Sequence, residues 1–199
     1  MEKIFASPSR YIQGKDVLKT GLSHIAELGN KALLLSDDIV WKLVGEELKG
    51  NLEAEGIAVV HVPFNGEASV NEITRVTAIG TENGVDVVIA LGGGKTIDSG
   101  KAICDNLQVP IAVLPTIAST DAPTSALSVI YNDAGAFEKY LFYKKNPELV
   151  MVDTAVVSKA PTRLLASGIA DALATYVEAR AVKQKHGNTM AGGKQTLAA

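Results

Sequence analysis

The chain has 199 residues, of which 47% are hydrophobic and 21% charged, with a formal net charge of −3. This composition excludes a disordered chain, and the near-neutral charge argues against nucleic acid or an anionic membrane as partner. The single cysteine, Cys104, excludes an internal disulfide, and the start of the chain lacks a signal-peptide pattern, so we expect a cytoplasmic protein without membrane spans.

Strands and helices alternate along the first three quarters of the chain, which predicts a parallel sheet with right-handed crossovers. Strands are predicted at residues 31–36, 57–62, 85–91, 110–114 and 149–152. Helices are predicted at 17–28, 39–55 and 69–82, and one more begins near Lys95. Ser69 and Glu72 have the spacing of a capping box. Residues 127–131 and 138–143 predict a small hairpin around the turn at 132–135.

The pattern becomes purely helical after Asp153. Pro161 suits the first turn of a helix, and Ile169, Leu173 and Val177 recur at helical spacing together with Tyr176, which predicts a buried stripe. The predicted organisation is therefore an α/β domain over 1–157, followed over 158–199 by the start of a helical domain.

The most informative segment is residues 85–98, an apolar strand followed by three glycines at 92–94 and a helix. Glycines let the backbone approach a bulky anion, and the helix N-terminus directs N–H groups and a positive dipole end at it. A diphosphate site is predicted there. A Walker A loop would need glycine in place of Ile89, and the GxGxxG pattern would need a small residue in place of Ile97. A tight turn with an exposed lysine is the alternative.

Polar side chains follow two other predicted strands. Asp37 and Asp38 come after the strand at 31–36, where an acid can accept hydrogen bonds from a ribose and repel the extra phosphate of NADP. Helix capping is the simpler role for such a residue. The hydroxyl-rich run at 115–125 lies at a strand end, where open α/β sheets bind ligands, and an ordinary polar loop is its alternative.

Asp171 lies beside the predicted apolar stripe, where a carboxylate needs a partner such as a cation. A helix-stabilising acid in a first turn is the alternative. None of the three histidines has the spacing of a metal-ligand pair, and no Ser-His-Asp or Cys-His arrangement is predicted.

Taken together, residues 92–98, 115–131 and 164–175 resemble the NAD-dependent glycerol dehydrogenases of the iron-containing (group III) alcohol dehydrogenase superfamily. The resemblance runs from about Ile4 to Ala199. The uninterrupted segment at 119–131 favours this family over glycerol-1-phosphate dehydrogenase and dehydroquinate synthase, which belong to the same superfamily.

The resemblance implies a Rossmann-like parallel sheet flanked by helices, with a small β-hairpin, followed by the first helix of a truncated all-α second domain. It implies glycerol as substrate, NAD and zinc as cofactors, and a homo-oligomer in the full-length form. Asp37 would bind the adenosine ribose, Asp121 would be the catalytic residue that contacts glycerol, and Asp171 would be one of three protein ligands to zinc. The dinucleotide and its nicotinamide would be bound by Gly93, Gly94, Lys95, Asp98, Thr116, Ser119, Ser125, Leu127 and Tyr131.

One departure from this family concerns the metal. Its members are nearly twice as long and take two histidine ligands from a helical second domain, whereas this chain supplies one matched ligand, Asp171. A catalytic zinc usually has three protein ligands and an open position. We therefore expect the 199-residue chain to turn over little or no glycerol. A non-catalytic protein that binds NAD or another nucleotide is the alternative, and a piece of an interrupted gene without a stable fold is a third.

Overall fold

The computed structural model describes residues 4–189 and 192–194. Its strands are β1 (Arg10–Gly14), β2 (Lys31–Ser36), β3 (Ala58–Pro63), β4 (Val87–Gly92), β5 (Ile111–Pro115), β6 (Leu127–Tyr131), β7 (Phe137–Phe142) and β8 (Leu149–Asp153). Its helices are α1 (Val17–Thr20), α2 (Ser23–Ala26), α3 (Asp38–Val40), α4 (Glu46–Ala54), α5 (Val70–Asn83), α6 (Gly94–Leu107), α7 (Thr154–Val157) and α8 (Thr162–Gln184). A π-helical turn, Trp41–Gly45, joins α3 to α4.

Six strands form one sheet in the order β1-β8-β5-β4-β2-β3, and every neighbouring pair in it is parallel. Strands β6 and β7 form a separate antiparallel hairpin. The predicted Rossmann-like α/β fold with a small hairpin is therefore confirmed. Strand β1 is an edge strand that the sequence pattern does not predict.

The sheet has an apolar core on each face because its central strands are buried on both sides. In β2, Leu33 and Leu35 pack into the core beside α5 and α6, while Ala32 and Leu34 pack into the other core, beside α1 and α4. This alternation follows from the two-residue period of a strand. The helices are thereby fixed against the sheet, which holds the carboxyl ends of its strands in place.

Two predicted helices are interrupted where glycines allow close packing. The helix predicted at 17–28 is split into α1 and α2 at Gly21, where a Cβ would lie 2.9 Å from the carbonyl oxygen of Val17. The helix predicted at 39–55 contains the π-helical turn. There the ring of Trp41 lies over Gly45 and stacks on His61, with 3.5 Å between the ring centroids.

Only half of the predicted capping box forms. Ser69 Oγ accepts the backbone N–H of Glu72, so the cap of α5 is confirmed. The Glu72 carboxylate instead accepts hydrogen bonds from Asn65 and from the Arg75 guanidinium. Burial alone would raise the pKa of Glu72, but these partners outweigh burial and lower it. The carboxylate takes the charged partner because a buried charge needs one.

The stripe of apolar side chains on α8 is exposed. Ile169, Leu173, Tyr176 and Val177 are 56%, 67%, 68% and 55% exposed, so the prediction that this stripe is buried is wrong. None of the residues that the structure describes covers this face of the helix. Although α8 is long, neither it nor another described helix combines the length and apolarity needed to cross a membrane.

The contact between α6 and β4 gives a stability test. A Cβ on Gly100 of α6 would lie 2.6 Å from the Ala90 Cβ, whereas one on the exposed Gly50 of α4 would meet nothing within 4 Å. We expect Gly100→Ala to lower the free energy of unfolding by about 1 to 2 kcal/mol through overpacking. Gly50→Ala is expected to raise it by about 1 kcal/mol, because alanine favours the helix. Urea denaturation measures both, and changes of the same sign would contradict this packing.

Candidate functional site

The candidate site lies at the carboxyl ends of the central strands. β4 ends at Gly92 and β5 at Pro115, and these two residues are paired in the sheet register. The next residue, Thr116, is buried and donates its N–H to the Gly92 carbonyl at 3.0 Å. The glycine turn (residues 92–94) and the hydroxyl-rich loop (residues 116–126, the 116–126 loop) therefore start side by side, in the position where open α/β sheets bind ligands.

The N-terminus of α6 has no side-chain cap from the part of the chain that the structure describes. Gly93 stands at the cap position with an extended backbone, and none of the described side chains caps the first N–H groups of the helix. By contrast, the N-termini of α3, α5 and α7 are capped by Asp37, Ser69 and Asp153. The first turn of a helix has N–H groups without helical partners, and these are suitable donors to an anion. The arrangement fits a phosphate or diphosphate group.

The 116–126 loop packs directly against the glycine turn. A Cβ on Gly93 would lie 2.8 Å from Cδ1 of Ile117, and one on Gly94 would lie 3.1 Å from Cγ2 of Thr120. Larger residues at 93 and 94 would therefore push the loop away from the turn. The predicted residues Ser119 and Ser125 lie half-buried within this loop, and Leu127 begins β6 directly after it.

Lys95 and Tyr131 come together beside the turn. The Lys95 Nζ lies 5.5 Å from the centroid of the Tyr131 ring and forms an ion pair of 2.7 Å with Glu67. About half of the lysine side chain is exposed. A positive charge thus lies at the rim of the glycine turn, where a bound phosphate could reach it.

Asp37 caps a helix through one of its two carboxylate oxygens. Its Oδ1 accepts the N–H groups of Ile39 and Val40 at 2.9 and 2.8 Å, so the capping alternative is confirmed. No hydrogen bond from the described part of the chain reaches Oδ2. The predicted contact with ribose uses the same side chain and stays a prediction.

Asp98 forms a buried ion pair that the sequence analysis did not predict. Its Oδ1 lies 2.9 Å from Lys101 Nζ, and its Oδ2 accepts the backbone N–H of Val129 at 3.1 Å. Burial raises the pKa of Asp98 and lowers that of Lys101, while each partner's charge opposes these shifts. Both carboxylate oxygens of Asp98 thus have partners inside the protein, and its predicted contact with the cofactor stays a prediction.

Lys101 also donates hydrogen bonds to backbone carbonyls of the 116–126 loop and of the residue that follows it. Its ammonium donates to the carbonyl oxygens of Ala122, at 2.9 Å, and of Leu127, and lies 3.3 Å from Ser125 Oγ. A lysine three residues after an aspartate on an amphipathic helix ordinarily indicates a solvent-exposed ion pair. One feature of the sequence indicated that Lys101 is buried, because it directly follows Gly100, which lies on the buried face of α6.

The structure brings together the two residues predicted for substrate and metal. Asp171 of α8 accepts the backbone N–H of Asp121 at 2.9 Å, although the two are 50 residues apart in the chain. The helix approaches the loop this closely at Gly168, where a Cβ would lie 2.1 Å from the Ala118 carbonyl oxygen. Asp171 lies well beyond the first turn of a helix that begins at Thr162, so the first-turn alternative is wrong.

A cavity of about 490 Å³ opens beside this contact. Thr120, Asp121 and Thr124 of the loop line one side, and Val152 and Leu165 are among the residues opposite. Its size is that of a small-molecule site. No residue of the glycine turn is among the described residues that line this cavity, so the surface suited to phosphate is not part of it.

The described residues do not form a complete metal site. Within residues 4–189 and 192–194, no three His, Cys, Asp or Glu side chains are grouped closely enough to hold a metal ion. Asp171 is thus a single candidate ligand, which does not fit the ligand set of a catalytic zinc by itself.

Comparisons with known proteins agree with this fold. The model of the family "Iron-containing alcohol dehydrogenase" matches residues 8–154, well over half of the chain. A glycerol dehydrogenase from Citrobacter freundii is 47% identical over 100% of this chain and 54% of its own length. A glycolaldehyde reductase from Halobacterium salinarum is 46% identical, with the same shares covered.

The crystal structure of glycerol dehydrogenase from Schizosaccharomyces pombe superposes with a TM-score of 0.91 at 39% identity. The match covers 99% of this chain and 50% of that structure. The chain thus spans about half the length of the relatives it matches. On the family match and the shared fold, the chain belongs to the iron-containing alcohol dehydrogenase family, a family of oxidoreductases.

Proposed function

We propose that the glycine turn, the N-terminus of α6 and the 116–126 loop bind NAD, in an enzyme that oxidises glycerol to dihydroxyacetone. The observation that carries this proposal is the uncapped N-terminus of α6 at the carboxyl end of β4, with Lys95 beside it. The similarity to glycerol dehydrogenases supports the choice of substrate.

In this proposal Lys95, Asp37 and Asp121 have defined tasks. The diphosphate accepts hydrogen bonds from the first N–H groups of α6 and from the Lys95 ammonium. Asp37 Oδ2 accepts a hydrogen bond from a ribose hydroxyl. Bound NAD would supply the hydride acceptor. Asp121, at the edge of the 490 Å³ cavity, accepts a hydrogen bond from a substrate hydroxyl.

The proposal includes zinc, for which Asp171 would be one ligand. We propose that the 199-residue chain by itself binds NAD and turns over little glycerol, because one carboxylate does not make a zinc site. We also propose residues 1–157 as the dinucleotide-binding domain and 158–199 as the start of a helical one, in a cytoplasmic homo-oligomer.

A second candidate substrate is a small hydroxyaldehyde, because the 46%-identical relative from Halobacterium salinarum is a glycolaldehyde reductase. Both candidates are small polar molecules whose hydroxyl groups suit the hydroxyl-rich side of the cavity. They differ in the direction of hydride transfer, since glycerol would be oxidised and glycolaldehyde reduced.

Lys95→Ala tests the diphosphate contact. A charge-assisted hydrogen bond to phosphate is worth about 1.5 kcal/mol, so we expect NAD to bind about tenfold more weakly. Lys19→Ala is the matched control. Lys19 of α1 is equally exposed and also forms an ion pair with a glutamate, Glu47. Titration calorimetry measures both affinities. Equal NAD affinity in the Lys95 variant and the unaltered chain would contradict the proposed contact.

Asp37→Asn tests the ribose contact without removing the helix cap, because asparagine caps as well as aspartate. Loss of the carboxylate removes its repulsion of the NADP phosphate, worth roughly 1 kcal/mol at an exposed position. We expect the preference for NAD over NADP to fall about fivefold. Asp38→Asn removes the same charge one residue away, and we expect a smaller change. If the two variants behave alike, Asp37 has no specific role in cofactor choice.

Turnover by the purified 199-residue chain tests the proposed dependence on further metal ligands. With glycerol, NAD and added zinc, we expect almost no NADH, although NAD binds. The glycerol dehydrogenase from Citrobacter freundii serves as the positive control in the same assay. Robust NADH production by this chain would overturn the proposal that a single zinc ligand is insufficient.

A further inference from the structure

We propose that Lys101 is a positioning residue, whose buried ammonium holds the 116–126 loop, and with it Asp121, in the shape that ligand binding requires. The expected effect on NAD affinity rests on the proposed function, whereas the expected effect on the structure of the loop does not. Lys101 itself is not expected to touch cofactor or substrate, because only 3% of its side chain is exposed.

The contacts of the ammonium match its donors. A lysine has three N–H donors and no acceptor. Lys101 Nζ has short contacts with three oxygens, which belong to the Asp98 carboxylate and to the carbonyls of Ala122 and Leu127. The remaining neighbours, both oxygens of Ser125, are longer at 3.3 and 3.4 Å. One side chain thus binds α6, the loop and the first residue of β6.

The loop has few other contacts of this kind. It contains no helix or strand, and one backbone hydrogen bond inside it joins Thr124 to Asp121 at 3.1 Å. Backbone hydrogen bonds hold its two ends, from Thr116 to Gly92 and from Tyr143 to Ala126. Between these ends, side chains outside the loop hold it at two further points, where Asn146 donates to the Thr124 carbonyl and Asp171 accepts from Asp121. Removing Lys101 would leave the carbonyls of Ala122 and Leu127 with only the longer contacts to Ser125 Oγ, at 3.5 and 3.4 Å, which costs free energy unless the loop moves.

Asp98 compensates the charge of the buried Lys101 ammonium. It neutralises the charge at 2.9 Å and, through Val129, joins α6 to the middle of β6. Removing either partner alone would leave an uncompensated buried charge and destabilise the whole protein. The informative variant is therefore the double change Asp98→Asn with Lys101→Met, which is neutral on both sides and similar in volume.

A matched control lies on the neighbouring helix. Glu72 and Arg75 of α5 form an ion pair of the same spacing, and Glu72 binds Asn65 rather than the loop. The double change Glu72→Gln with Arg75→Met therefore removes an ion pair of the same spacing, whose carboxylate is buried and whose arginine is 38% exposed, without touching residues 116–127.

Hydrogen exchange followed by mass spectrometry, together with NAD titration, tests the proposal. In the Asp98→Asn/Lys101→Met variant we expect exchange over residues 116–127 to accelerate at least about tenfold, with no change in β4 or β5. In the same variant we expect NAD affinity to fall about tenfold and the melting temperature to stay unchanged. The α5 double variant is expected to change neither the loop exchange nor the NAD affinity. The single change Lys101→Arg keeps a cation that can donate to the same carbonyls, and we expect it to restore part of the protection.

The outcomes separate this proposal from the proposed function. Loop exchange that accelerates in a protein that never binds NAD supports the positioning role and refutes the cofactor. Unaltered loop exchange in the double variant refutes the positioning role, whether or not NAD affinity falls, because Asp98 is itself a predicted cofactor contact. The role is also refuted if exchange accelerates evenly across the sheet, if the double variant fails to fold, or if Lys101→Arg protects the loop no better than the double variant does.

Discussion

The structure of the site depends on one buried ion pair, between Asp98 and Lys101 on the inner face of α6. Burying two charges costs several kcal/mol per ion unless each is fully satisfied. Here the carboxylate binds the ammonium and a backbone N–H of β6, while the ammonium binds the carbonyl of Ala122 in the middle of the 116–126 loop and that of Leu127 directly after it. Hydrophobic packing cannot satisfy carbonyl groups, so a buried cation is a physically reasonable way to hold irregular backbone against a helix. The shape of the 116–126 loop therefore depends on the buried ammonium of Lys101.

The second constraint is the close contact of α6 with the sheet. Gly100 lets the helix axis approach Ala90 of β4, and the helix begins only two residues after that strand ends. Side chains cap the helices that follow β2 and β8, but Gly93 provides none for α6. The donors of its first turn therefore face the open edge of the sheet. The same helix thus has an end suited to an anion and, two turns later, a cation that contacts the neighbouring loop.

Sequence reasoning succeeds where local chemistry decides the outcome. β2 was predicted residue for residue because an apolar run between Asn30 and Asp37 has no competing structure. β1, with the sequence Arg-Tyr-Ile-Gln-Gly, was missed because an edge strand needs little apolar character. Lys101 was missed because burial of a lysine depends on carbonyls more than 20 residues away. The stripe on α8 was misjudged because periodicity shows which side chains favour burial, not whether a covering surface is present.

The position of α8 links these observations. Among the described residues, the helix is held to the loop at two points: Gly168 lies against the Ala118 carbonyl, and Asp171 accepts the N–H of Asp121. Ala118 and Asp121 both lie shortly before Ala122, whose carbonyl accepts a hydrogen bond from Lys101. The course of the backbone at both points therefore depends on Lys101. The distance between the predicted metal ligand and the predicted substrate residue is therefore set by one backbone N–H rather than by two independent side chains. A displacement of the loop would move the Asp121 side chain and remove the hydrogen bond that orients Asp171, so the ion pair beneath the loop controls the geometry of both carboxylates together.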